Sequence, residues 1–568
     1  MTPTPLRKRE RIELVPTAAA QTGDGNVGHF DLIVIGAGIN GAGVARDSAL
    51  RGLSVLLVDK GDVGSGTTAW PTRLIHGGLR YLEYGEVGLV RESLRERERL
   101  LRNAPHLVHP LPLIIPIYAG DTRRPITIRA GMMAYDALSL DKSLPRHRML
   151  DHDTTLRRLP GLASEGLLAG ALYYDAQVEY TERLVLENAL DAVTHGATLM
   201  TYHRVDRITT WSGKVTGVAG VDVLTDKPFH ATSTTVVNVA GPWVDEVLRG
   251  LEHVPKLPLM GGTKGTHLIV DPFPGAPPVG VYAEARLQHR PFFVIPWNDA
   301  YLAGTTDTRY TGDLDVVTAT TEEIAWILQE VNTLFPRASL TNADVQYSYA
   351  GVRPLPAAPG KNEGAVTRRH QLVDHAARGE AEGLYSVVGG KLTTYRELAE
   401  QVVNAIAHES GKLSGPSLTA SVPLPGAPVG QDWQAFRAQF LANSPLPLPA
   451  NEHLLRVYGV RATDLVDYAI SSRLDAVIDE ATGVIAAEVP WAFDREGART
   501  LADVVARRTM SGLAPSAGIG PDEAIGKVAQ SVLGWDQADV DREIASYREW
   551  VGRYQPRALA TATLPASS

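Results

Sequence analysis

Residues 30–60 constrain what this chain can fold into more than any other stretch. They open with Phe30-Asp31-Leu32-Ile33-Val34-Ile35, a short apolar run rich in β-branched residues that reads as a buried parallel strand. The run breaks at Gly36-Ala37-Gly38-Ile39-Asn40-Gly41. Gly36 permits a tight turn, Gly38 lets backbone approach a pyrophosphate with no Cβ in the way, and Gly41 lets a new helix pack closely on the strand. The helix N-terminus then faces the anion. Ala42, Val44, Ala45, Ala49 and Leu50 are its small or apolar positions, it ends near Gly52, and Ser54-Val55-Leu56-Leu57-Val58 returns as a second strand. Asp59 closes that strand where a carboxylate can accept hydrogen bonds from a ribose diol, which favours FAD or NAD over NADP. Strand, glycines, helix, strand and acid in register predict a dinucleotide site, with Asn40 and Lys60 inside it.

The 568 residues hold roughly three or four domains' worth of chain. A net charge of −9 argues against a nucleic-acid surface, so positive side chains must be used locally. With no cysteine there are no disulfides or thiolate metal sites, and no metal is expected. No apolar run approaches the ~20 residues of a membrane-spanning helix. Residues 1–29 and 557–568 read as disordered tails.

After the βαβ unit comes Gly64-Ser65-Gly66-Thr67-Thr68-Ala69-Trp70-Pro71-Thr72-Arg73-Leu74-Ile75-His76-Gly77-Gly78-Leu79-Arg80-Tyr81-Leu82. Small hydroxyl residues and paired glycines offer donors to a flat polar ring or a phosphate, while Leu and Ile anchor the segment. Arg80 and Tyr81 follow a glycine pair and are expected to project into the same cavity. This segment resembles FAD-dependent glycerol-3-phosphate dehydrogenases in their Lys/Arg-Leu-Ile-His-Gly-Gly-Leu-Arg-Tyr-Leu stretch. Trp70-Pro71 departs from the small hydroxyl residues expected there, and proline has neither hydroxyl nor N–H to give a flavin. The resemblance implies cofactor contacts at Gly66, Thr67, Thr68, Thr72, His76, Gly77 and Gly78, and a backbone contact at Val205 to the adenine end of FAD.

Further along, Thr235-Val236-Val237-Asn238-Val239-Ala240-Gly241-Pro242-Trp243 is a buried strand whose small-residue end lets a cofactor approach the backbone, and the resemblance implies that Ala240, Gly241 and Trp243 lie beside the FAD. Leu384-Tyr385-Ser386-Val387-Val388-Gly389-Gly390-Lys391-Leu392-Thr393 repeats the design of strand, glycine pair and helix start, expected to offer Gly389, Gly390, Lys391, Leu392 and Thr393 to the flavin edge that gains charge on reduction. Lys264-Gly265-Thr266-His267 and Tyr301-Leu302-Ala303-Gly304-Thr305-Thr306-Asp307 match segments of the same family, and so does Gly497 to Thr509 near the C-terminus. In Tyr349-Ala350-Gly351-Val352-Arg353-Pro354, the proline biases Arg353 toward extended backbone and Gly351 clears space behind it, presenting a guanidinium to an anion.

The expected fold is α/β: a Rossmann-like FAD-binding domain of the DAO/glutathione-reductase type, an inserted antiparallel-sheet substrate domain and a C-terminal helical domain. The FAD-binding domain is assigned to 30–110, 171–250 and 345–415, the substrate domain to 111–170 and 251–344, a linker to 416–450 and the helical domain to 451–556. Residues 89–101 read as a structural helix with a heavily solvated face, and the C-terminal domain shows no catalytic constellation. The resemblance implies oxidation of sn-glycerol 3-phosphate at C2 to dihydroxyacetone phosphate, with FAD as hydride acceptor and a membrane quinone reoxidising it. Substrate contacts are assigned to Arg80, Tyr81, Arg353, Arg368 and Lys391, and catalysis to His267 as general base with Arg353 and Lys391. An oxygen-reducing glycerol-3-phosphate oxidase, an amine oxidase of the same fold and a non-catalytic flavin-binding sensor are the alternatives. A cytoplasmic protein, peripheral on the membrane's inner face, and a homodimer are compatible with the sequence.

Overall fold

Strand Leu32–Ile35 is buried throughout because both of its faces are covered. The computed structural model describes residues 25–562 except 141, 287, 359, 361–365 and 411–414. The strand lies inside a six-stranded sheet ordered 371–374, 384–388, 236–238, 32–35, 55–58, 198–200, parallel except for its first pair. Leu32 and Val34 pack with helices Ile39–Leu50, Thr181–Thr194 and Tyr395–Ser410. Ile33 and Ile35 face the other way, onto Ile208, Val218 and Phe229 of a second, four-stranded sheet. Alternate residues thus enter two different cores, which is why the strand reads as one continuous apolar run.

The four-stranded sheet runs 26–29, 228–232, 214–222, 203–211. Its first strand corrects the expected tail. Asn26–His29 pairs in parallel with Pro228–Thr232, since filling a free sheet edge needs backbone groups and no apolar pattern. Residues 1–24 lie outside those described. At the other end Arg557–Ala562 is helical and Arg557 is bonded to Asp271 (2.8 Å), correcting the second tail there; 563–568 lie outside the described residues.

The inserted domain is built on a ten-stranded sheet that joins 263–270, 280–284, 291–297 and 300–304 to 108–118 and 167–178. Two boundaries shift. Strand Leu167–Val178 runs through residue 171, and Val345–Arg353 pairs along Thr263–Val270, so both strands belong to this sheet. Strand Val108–Tyr118 carries Pro110, Pro112 and Pro116 at even positions, which puts every missing N–H on one edge and leaves the other free to pair. Residues 416–450 are no free linker: Arg46 donates to the Val422 and Pro423 carbonyls (3.0 and 3.1 Å), and Trp433–Asn443 is a helix. Helix Val87–Asn103 likewise departs from its solvated reading, because Arg396 covers Glu96 (2.7 and 2.9 Å) and Arg97 reaches Asp175 (2.6 Å), burying both.

The C-terminal helices share one apolar core with the inserted sheet, through Tyr180, Trp297, Tyr347 and Tyr349. Buried ion pairs tie the same junction. Glu496 accepts both Arg183 nitrogens (2.6 and 2.9 Å) and lies 2.9 Å from Arg461. Burial pushes the Glu496 carboxyl up, but Arg183 and Arg461 outweigh that and hold it at about 2. A carboxyl depressed from 4.5 stabilises the fold fully above pH 4.5 and progressively less as pH falls to about 2, a difference of about 3 kcal/mol. Acid titration of stability should therefore steepen across that window, and Glu496→Gln, already unable to ionise, should flatten it.

Candidate active site

The glycine motif opens onto a cavity of about 1060 Å³ that runs between all three domains. Gly36 sits at φ +109°, and a Cβ there would meet the Val239 carbonyl oxygen at 2.7 Å. The N-cap of helix Ile39–Leu50 is Gly38, which has no side chain to cap it, and no acid occupies the first turn, which leaves most of the positive helix end to a ligand. Thr68 Oγ1 accepts the Ile39 N–H (3.0 Å), so the hydroxyl loop is laid against the helix start. Asn40 Oδ1 is buried in this wall without a hydrogen-bond partner. Asp59 turns into the loop, accepting from the Ala37 and Gly61 amides (2.6 and 2.8 Å). Burial pushes its carboxyl up to about 6 against those two donors.

Trp70 is accommodated by packing. It lies between Tyr349 and Tyr554 (ring centroids 5.5 and 4.7 Å), and a Cβ on Gly351 would come within 2.8 Å of it. Tyr349 donates to the Pro71 carbonyl (2.9 Å), fixing the segment that leads to Thr72.

At the far end the cations gather. Arg353, in strand Val345–Arg353, donates to Asp307 Oδ1, Thr305 Oγ1 and the Thr306 carbonyl, each at 3.1 Å. Asp307 Oδ2 takes Arg368 at 3.4 Å, so one carboxylate is shared between two guanidinium groups. Burial lowers the Arg353 pKa, Asp307 opposes that and Arg368 adds to it. Lys391 donates to Ser93 Oγ (2.7 Å) with its ammonium 4.5 Å from the Tyr81 ring centre. Burial brings Lys391 down to about 8, with Glu92 the chief opposing charge. His267 faces this group from strand Thr263–Val270, with Nε2 2.9 Å from Thr72 Oγ1 and Nδ1 buried without a partner. Burial, then Arg353 and Arg73, hold its pKa well below the usual imidazole value.

The FAD dependent oxidoreductase family matches residues 31–396, and the C-terminal domain of alpha-glycerophosphate oxidase matches 417–540. A glycerol-3-phosphate dehydrogenase of Synechocystis sp. is 44% identical over 534 residues, covering 92% of this chain and 96% of that protein. Glycerol-3-phosphate dehydrogenase 2 of Mycobacterium tuberculosis is 36% identical over 548 residues, covering 95% and 92%. The X-ray structure of the glycerol-3-phosphate dehydrogenase from Bacillus halodurans complexed with FAD superposes with a TM-score of 0.75 at 28% identity, covering 93% of this chain and 95% of that one. The chain belongs to the FAD-dependent glycerol-3-phosphate dehydrogenase family. The fold class expected from the sequence is borne out.

The cavity fits the family's cofactor. Its volume, the glycine-capped helix start and the orphaned Asn40 Oδ1 suit a group that carries phosphates and a polar ring. Gly36, Gly38, Asn40, Asp59, Lys60, Gly66, Thr67, Thr68, Thr72, His76, Val205, Ala240, Gly241, Trp243, Gly390, Lys391, Leu392 and Thr393 all line it, as do Tyr81, His267, Arg353 and Arg368.

Five expected residues stand back from the lining, each for a packing reason. A Cβ on Gly41 would lie 1.8 Å from the Gly36 oxygen, on Gly77 2.4 Å from the Tyr135 hydroxyl, and on Gly78 2.3 Å from the Tyr81 ring. Gly389, at φ +84°, turns the chain before Gly390. Arg80 bonds Tyr84 (3.2 Å) and lies over its ring, off the cavity wall. Sequence reasoning gave no role to Asp307, although the motif containing it was singled out. It missed Ser93, hidden on a helix whose charge pattern signals only solvent, and Arg507, Trp550 and Tyr554 of the C-terminal domain, which also line the cavity. Selective ¹⁵N-histidine labelling should find the His267 imidazole still neutral where an ordinary histidine, with its midpoint near ~6.5, is already charged; a midpoint near 6.5 would contradict the burial argument.

Proposed function

We propose that this chain oxidises sn-glycerol 3-phosphate at C2 to dihydroxyacetone phosphate and passes the electrons to a membrane quinone. The observation that carries the reading is the clustering of Arg353, Arg368 and Lys391 around one end of the cavity in a protein of net charge −9. A phosphomonoester holds nearly two negative charges at neutral pH and matches such a cluster. The names of the relatives agree.

Bound FAD supplies the chemistry of hydride acceptance. The chain's own residues bind, orient and move the proton. Arg353 spends its donors on Thr305, Thr306 and Asp307, so it contributes a fixed positive charge. Arg368, with only 3.4 Å contacts to Asp307 and the Val366 carbonyl, is the freer fork for phosphate oxygens. Lys391 is poised to stabilise negative charge developing on the C2 oxygen. His267 is uncharged and accepts the C2 hydroxyl proton.

Anaerobic addition of glycerol 3-phosphate should bleach the flavin, and glycerol should not. Arg353→Ala and Arg368→Ala, loaded with FAD, should each raise KM at least about tenfold, the loss of roughly 1.4 kcal/mol of charge-assisted binding; unchanged KM and kcat would remove the residue from the phosphate site. Because Lys391 loses its charge above about 8, kcat/KM should fall as pH rises through that value, and Lys391→Met should lower activity and abolish that limb.

For the acceptor, the supporting feature lies on helix Pro125–Ala137 and the turn after it. Ile126 and Met133, a heptad apart on the helix, and Leu140 in the turn beyond it are 77%, 58% and 79% exposed, flanked by exposed Arg124 and Arg129. Among the described residues no helix is long and apolar enough to cross a membrane, so these exposed residues suit a peripheral seat on anionic lipid. Replacing all three by serine should abolish co-sedimentation with anionic phospholipid vesicles and slow turnover with a membrane quinone, leaving flavin bleaching intact. Peroxide formed at the rate of substrate oxidation would instead assign oxygen as acceptor, a reading that the alpha-glycerophosphate oxidase description of the C-terminal domain keeps in play.

A further inference from the structure

We infer that the C-terminal domain is part of the dinucleotide site, and that Asp62, Arg507 and Arg508 are positioning residues that hold the loop after the second strand around the cofactor. The loop begins at Asp59, the carboxylate placed for the ribose, and Asp62 lies three residues on, fully enclosed. Asp62 accepts Arg507 Nε (2.6 Å) and both terminal nitrogens of Arg508 (2.8 and 2.9 Å).

Adjacent side chains on an α-helix diverge by about 100° and do not grip one carboxylate together. Here the two long side chains do so, from a π-helical turn at Val504–Arg508, a winding often found at functional sites. Burying three charges is costly, and apolar packing alone would join two domains more cheaply. The arrangement therefore asks for a role beyond cohesion.

A second set of contacts converges on the same loop. Tyr202 and His203 donate their amides to the Gly61 and Asp59 carbonyls (3.0 and 2.7 Å). The Tyr202 hydroxyl in turn reaches Asp503 (2.5 Å), which also accepts Arg507 NH2 (2.6 Å), and Arg499 bonds the Thr201 carbonyl (3.1 Å). The loop from Asp59 to Asp62 is thus stitched between residues 201–203 and 499–508. All three segments contribute to the cavity wall, through Asp59, Asp62, Tyr202, Thr500 and Arg507. Arg507 thus grips Asp62 and lies on that wall as well.

Coupling of this kind is reciprocal: if the domain holds the cofactor, the cofactor holds the domain. Hydrogen exchange of the full chain with and without FAD should show protection rising at 496–509 together with 59–66, while helix Trp433–Asn443, which contributes nothing to the cavity, stays unchanged. No change at 496–509 overturns the inference. Asp62→Asn, assayed as the holoenzyme, should release FAD at least tenfold faster by fluorescence and shrink the rise in Tm that FAD confers on the apoprotein. Equal destabilisation of apo and holo forms with an unchanged release rate would mean a purely cohesive pair, and would overturn it. Should that variant fail to fold, Tyr202→Phe removes only the hydroxyl on Asp503 and should still quicken release about threefold; an unchanged rate would count against the inference.

Discussion

A Cβ at position 41 would lie 1.8 Å from the Gly36 carbonyl oxygen, so helix Ile39–Leu50 can begin where it does only with glycine there. That close approach sets the rest of the cofactor end. It brings a glycine-capped helix start against the ends of three parallel strands, where Ala240 and Gly390 leave room for a ligand instead of filling it. The hydroxyl loop then needs no more regular structure than the short 3₁₀ turn Thr67–Ala69. Thr68 is pinned to the Ile39 amide and Thr67 to the Val352 carbonyl (3.0 and 2.9 Å), so irregular backbone is held by regular neighbours on both sides.

Electrostatics at the other end follows from scarcity. In a chain with more acids than bases, cations that face the cavity must be neither lost to solvent nor cancelled by a tight partner. Asp307 meets this by division: split between Arg353 and Arg368, it relieves their mutual repulsion while leaving the pair net positive. Lys391 is treated differently. Its partner is the neutral Ser93 hydroxyl, and burial keeps its ammonium close to losing its proton, as suits a group meant to respond to charge that develops during a reaction. His76 lies near this ammonium and, by burial and then by Lys391, is held at about 4, so it brings no second positive charge to the flavin loop.

What the sequence disclosed, it disclosed where chemistry and local geometry coincide. Residues 30–60 show the nucleotide fold because turn, close approach and strand burial each demand a residue type within a few positions. Arg353 is legible because Pro354 and Gly351 sit beside it. Asp62, by contrast, looks like any loop aspartate, and its partners lie over 440 residues away. Glu96 and Arg97 look solvated since a charge pattern carries no word of Arg396 or Asp175 waiting across the packing interface. Strand Asn26–His29 escaped for the opposite reason: apart from the His29 contact to the Thr232 hydroxyl (3.1 Å) it pairs through backbone, and backbone has no letter in the sequence.

Trp70 shows how such distant dependence works. A bulky indole where small hydroxyl residues were expected has to be paid for in volume, and Gly351, on the facing strand, clears the space. The indole's other face is closed by Tyr554, which belongs to the last turns of the C-terminal domain and itself meets Trp550 edge to face (5.3 Å). Tyr349, on the near side of Trp70, also touches the His267 ring (5.0 Å). An unbroken row of rings therefore connects the C-terminal domain to the histidine at the cation end of the cavity. A shift of that domain would be passed along the row toward the cavity wall, because close-packed interiors transmit strain. The C-terminal domain meets the cavity wall at two points, through charge at Asp62 and through packing at Trp70, and the second adjoins the residue on which proton transfer is proposed to depend.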